Sequence, residues 1–158
     1  MLKRIVLILG LALVSSGCQK SDAPVMTAVA PPPHYSYAHQ LKIGGKILMV
    51  EIANTDQQRQ QGLSDQTQMA DNKGMLFDFG SQLSNTAFWM KDMKFNLDFI
   101  WIAQNKVVGI TSDVPHPGSA SDPLPSYYSP SPVNQVVEVN AGWTKKNNIS
   151  AGDAVLLQ

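Results

Sequence analysis

Cysteine is nearly absent. Cys18 is the only one in 158 residues, which excludes an intramolecular disulfide and a thiolate metal cluster. Charge is sparse at 15% of residues, and after Arg4 the only arginine is Arg59. Any role that needs a guanidinium fork therefore falls on Arg59. The chain has no glycine-rich phosphate loop, no HExxH helix and no Ser-His-Asp order, so motif-bearing nucleotide enzymes and hydrolases find no support. It has no internal repeat, and its one long apolar run, Ile5 to Val14, is too short to remain as a membrane-spanning helix.

That run sits in a readable context. Met1-Leu2-Lys3-Arg4 is a short basic head, and Ser15-Ser16-Gly17-Cys18 ends the run in small residues and a cysteine. Residues 1–17 read as a secretory signal peptide. Ser-Gly-Cys resembles a bacterial lipobox, which implies lipidation of Cys18, although Ser15 stands where an aliphatic residue is usual. Gln19 at the next position resembles lipoproteins sent to the outer membrane. The expected location is the periplasmic face of the envelope, with the membrane as a partner through acyl chains. Loss of Lys3 and Arg4 leaves 10 basic against 12 acidic residues, which is no footprint for nucleic acid.

Residues 18–39 hold Pro31-Pro32-Pro33 and few aliphatics, the composition of an extended spacer. Residues 40–158 are then one domain with room for one core. Leu41–Ile43 and Lys46–Ala53 flank Gly44-Gly45 as a hairpin, and Gln104-Asn105 joins Leu97–Ala103 to Lys106–Thr111 as a second. Asn54-Thr55-Asp56 begins a short polar helix closed by Gly62, and a second helix is expected from about Trp143 to Asn147. Further strands are expected at Gly74–Phe79, Thr86–Met90, Gln135–Val139 and Ala154–Leu157. The stretch Val114–Val133 carries six of the ten prolines. It reads as a long surface loop without a ladder, able to fold across a barrel mouth as a lid. The fold class is mainly β: a small closed or partly open β-barrel with two short helices.

The order VEIANTDQQRQQGL, KGMLFDF, FWMK, LDFIWI, a hydrophobic hairpin, a Pro-rich loop and VVEVNAGW…ISAGDAV resembles the domain of unknown function 192 family across residues 47–158. The resemblance implies a bacterial or archaeal protein, often exported, with a small β-barrel-like fold and no activity to carry over. This chain departs from the family pattern at Asp92-Met93, at Asn96 before Leu97-Asp98, and in lacking cysteines in the loop from Val114.

Asp98 is the leading site candidate. It lies in a run whose Leu97, Phe99 and Trp101 share one face while Ile100 and Ile102 share its own. A carboxylate there needs a cation or several donors, and a structural role, accepting backbone N–H groups or pairing with Lys91 or Arg59 to fix a turn, is preferred over a catalytic or ligand role. Lys91, at the end of Phe88-Trp89-Met90, is expected to neutralise it across a turn that returns through Leu97-Asp98-Phe99; Arg59 is the alternative partner. Glu138 repeats the pattern in Val136-Val137-Glu138-Val139, where alternation allows an outward side chain, and Asp98 with Glu138 would make a carboxylate pair. Trp89, Tyr127, Tyr128 and Trp143 are the aromatic candidates for a binding face, although such residues are also the usual filling of a small core. Met75, Met90 and Met93 with His116 invite a Cu(I) reading; against it, methionine is commonly core filling and no dense array exists, so no metal or cofactor is assigned.

Three functions follow in order of preference. The first is an exported, lipid-anchored, monomeric module that binds an unidentified small ligand or envelope component, with no established catalysis. The second is an enzyme acting on envelope glycan or peptide through Asp98 with Glu138 or Arg59. The third is a copper handler.

Overall fold

The computed structural model describes residues 35–64 and 66–158. The signal peptide, Cys18 and most of the proline-rich spacer lie outside them. Two residues before position 40 already contact the domain: the Tyr35 hydroxyl donates to Gly62 O at 2.8 Å, and the Tyr37 ring is buried.

The first hairpin joins β1 (His39–Ile43) to β2 (Lys46–Ala53). Gly44 and Gly45 have φ of +53° and +84°, the left-handed pair that lets a two-residue turn match strand twist. Helix α1 (Asp56–Gln61) follows, begun by a capping box between Thr55 and Gln58. It carries the chain to β3 (Lys73–Asp78), parallel to β2. Strands β5 (Leu97–Ala103) and β6 (Lys106–Val114) form the second hairpin. Then come β8 (Gln135–Asn140), α2 (Trp143–Lys146) and β9 (Val155–Leu157). Between them, β4 (Ala87–Phe88) and β7 (Tyr127–Tyr128) form a separate two-stranded sheet.

The main sheet has the order β6-β5-β8-β3-β2-β1-β9. Val107 N donates to Asp153 O at 2.9 Å and Val155 N to Asn105 O at 2.8 Å, so the start of β6 reaches the chain entering β9. The seven strands curl into a partly closed barrel. One apolar cluster, with Leu41, Leu48, Val50, Ile100, Ile102, Val137 and Val139, fills the concave side, where Trp143 of α2 joins it. A second, with Met75, Phe77, Leu97, Phe99, Trp101 and Val136, covers the outer side. Central strands covered on both faces explain why β5 is apolar on both sides except at Asp98.

Two expectations change at the outer face. The strand expected over Thr86–Met90 is two residues long, and it pairs with β7 rather than turning back onto β5. The proline-rich stretch does form a ladder: its tyrosine pair lies between prolines and so keeps its donors. The stretch lies along the outer face, pinned by the Ser84–Val133 bridge, by Ser129 N to Thr86 O at 2.9 Å, and by Pro130 against Gly109.

Candidate functional site

Alternation decides where each candidate points. Asp98 pairs in register with Val139, and Phe99 with Glu138. Asp98 therefore faces the concave side and Glu138 the outer side, so the two carboxylates sit on opposite faces and make no paired site.

Asp98 is fully buried (0% exposed) and held by four donors. Oδ1 accepts from Asp113 N at 2.9 Å and Gly142 N at 3.1 Å; Oδ2 accepts from Thr144 N at 3.1 Å and Thr144 Oγ1 at 2.6 Å. Helix α2 has no side-chain cap of its own, and Asp98 caps it from the neighbouring strand. The expected neutralisation by Lys91 or Arg59 does not occur. The ion pairs among the described residues are Arg59–Asp56 and Lys146–Asp71, while neutral donors satisfy Asp98. A β5–β6 register shift at Leu97/Phe99 brings Asp113 N within reach.

The outer face carries a cavity. Helix α1 and the residues after it form one wall, the Thr86–Met93 segment the other, and the outer surface of β3 and β8 the floor. Its volume is about 180 Å³, and it opens into a wider surface groove that shares Arg59, Trp89 and Lys91. Phe88 packs edge-on against Phe77 at 4.8 Å and Trp101 at 5.8 Å between centroids, which fixes the inner end of that segment. Trp89 then faces outward (59% exposed), Met90 returns to the core, and Lys91 stands at the rim. Asp92 makes the turn in a left-handed conformation, φ +59°.

Arg59 is braced. Its Nη1 donates to Asp78 O at 2.9 Å, Nη2 pairs with Asp56, and the guanidinium lies 5.5 Å from the Phe79 ring centre. The guanidinium is thus turned to backbone, to an acid on its own helix and to an aromatic face.

Glu138 lies in the cavity lining and is 4% exposed. Its side chain points to the outer side, as alternation allows, but that face is covered here, with Glu138 between Phe99 and Met75 in the register. No described donor hydrogen bonds its carboxyl, and burial pushes its pKa up to about 8 from an ordinary 4.5. No enclosed side-chain polar atom among the described residues lacks a partner, so the unpartnered carboxyl keeps its opening onto the cavity.

Sequence candidates thus divide. Arg59, Trp89, Lys91 and Glu138 line one cavity; Asp98 lies on the other side of the sheet. Tyr127 packs on Phe99 at 5.8 Å, and Tyr128 is exposed beyond the cavity wall. No residue of the 114–133 stretch lines the cavity, so the expected lid lies beside the site. Met75, Met90 and Met93 are buried in the outer cluster, and His116 bonds Asn96 through Nδ1 at 2.7 Å. No group of three or more His, Cys, Asp or Glu among the described residues is placed to hold a metal ion. Sequence reasoning missed Phe77, Phe79, Phe88 and Met93 as lining. The two-residue spacing of Phe77 and Phe79 with Met75 was the available signal.

Residues 39–157 match the model of the family described as DUF192, Uncharacterized ACR. A solved structure from Sinorhizobium meliloti, described as a candidate transcription regulator, shares 34% identity at a TM-score of 0.65, covering 75% of this chain and 92% of its own. A protein of unknown function from Novosphingobium aromaticivorans shares 24% identity at a TM-score of 0.64, covering 74% and 83% respectively, and supports the fold alone. No curated protein matches the chain.

Proposed function

The chain belongs to the domain of unknown function 192 family, and from that premise we propose that its β domain is a ligand-binding module whose site is the outer-face cavity over Glu138. The observation that carries this reading is the Glu138 carboxyl itself. A buried, unpartnered carboxyl costs folding free energy, and a desolvated polar group opening onto a concave, aromatic-walled space is where ligand sites concentrate. Binding rather than catalysis is the preferred role, because the described cavity lining holds no second carboxylate and no histidine to share acid-base work.

In the cell the module would act as an exported envelope accessory, held at the periplasmic face of the outer membrane by lipid on Cys18. Support comes from the basic head, short apolar run and Ser-Gly-Cys order of residues 1–18. The charge balance without a basic excess favours a small ligand over nucleic acid.

Backbone amide chemical shifts during titration with a library of small amines, carboxylates, alcohols and sugars test the site. The expected result is that hits shift residues 59–64, 86–93 and 138 together. Hits that cluster elsewhere, or none across the library, would count against it. Replacing Cys18 by Ser is expected to release the protein from the membrane fraction.

A further inference from the structure

Resting on the reading of the cavity as a ligand site, we propose that the group received at its floor is a primary ammonium carried on a short apolar or aromatic stem, with the Glu138 carboxylate as its counter-ion. The first support is the missing partner. Among the described residues no donor bonds the Glu138 carboxyl, and the one arginine in the wall is already turned to Asp78 O and Asp56. Lys91 is exposed at the rim, so a cation at the floor must come from a ligand.

The second support is the wall. Phe77, Phe88 and Trp89 line the same cavity, and aromatic faces attract a cation while packing against its stem. Hydroxyl ligands would satisfy the carboxyl's hydrogen bonding but gain little from ring faces; an ammonium gains from both. Size fits as well. The cavity of about 180 Å³ is near the roughly 150 Å³ that accommodates a benzene ring. The exposed Lys91 ammonium at the rim suits a ligand whose far end is neutral or anionic.

The test compares benzylammonium with benzyl alcohol, equal in shape and different in charge, by amide-shift titration of wild-type protein and of Glu138→Gln. The expected result is at least about tenfold tighter binding of benzylammonium to wild type, and loss of that preference in Glu138→Gln. Equal affinities in wild type, or a preference that persists in the variant, would overturn the ammonium assignment while leaving the ligand site in place. No shift in the cavity residues with either probe would overturn both. The wild-type comparison stands even where the variant folds poorly.

Discussion

Two carboxylates one register step apart on β5 and β8 receive opposite treatment. Asp98 has four donors, and Glu138 has none among the described residues. Removing Asp98 would strand Gly142 N, Thr144 N and its hydroxyl, and Asp113 N without their acceptor. Asp98→Ala is therefore expected to lose about 3–5 kcal/mol in urea unfolding, whereas Asp98→Asn, which keeps an acceptor, should lose less. For Glu138 the folded pKa of about 8 lies above the ordinary 4.5. The folded state holds the proton more tightly, so this contribution is full below about pH 4.5 and is lost as pH climbs through about 8. Across that window the ligand-free domain should lose roughly 3–5 kcal/mol from this group. Glu138→Gln should flatten the slope; an unchanged slope would show that other groups cause it. Arg59 and Lys91 are the charged residues in the two walls of the cavity, and the variant leaves both in place. At this scale the burial of Asp98 and its need for donors were legible in its apolar run, but which amides supply them was not, because donors on α2 and β6 leave no mark in sequence. Alternation left the exposure of Glu138 open, because it signals exposure only where one face meets water.

Elements built from local signals match their sequence pattern, and those built from distant ones do not. The Gly44-Gly45 hairpin, the Thr55–Gln58 capping box and the Gln104-Asn105 turn each lie within a few residues. The β4–β7 pair joins Ala87-Phe88 to residues forty positions away, and a two-residue strand gives too little periodicity to find. That pairing also explains Phe88-Trp89-Met90-Lys91: alternate residues serve the core and the cavity, so the segment is both packing and wall. Element geometry yields a prediction at Gln104, which occupies φ +50° in the second hairpin turn. Asn tolerates that conformation better than Gln. Gln104→Asn should raise stability by about 0.5–1 kcal/mol, a part of the left-handed backbone cost, seen as a higher urea midpoint with an unchanged slope.

For the whole molecule, the curled sheet separates two tasks. Its concave side is a closed apolar core with α2 docked on it through Asp98, and its outer side is an aromatic layer left open between α1 and the Thr86–Met93 segment. The class of fold was readable from short strands and turn signals. The division into faces was not, because it depends on the order β6-β5-β8-β3 that sets Asp98 beside Val139. Binding at the outer face should accordingly tolerate changes on the concave side that leave the domain folded. The most direct test is the carbon-13 resonance of the Glu138 carboxyl followed with pH, with and without benzylammonium. A midpoint near 8 in the free protein, moved down when the ammonium is bound, is the predicted result. An ordinary midpoint near 4.5, unmoved by the probe, would mean that Glu138 is neither buried alone nor facing a ligand.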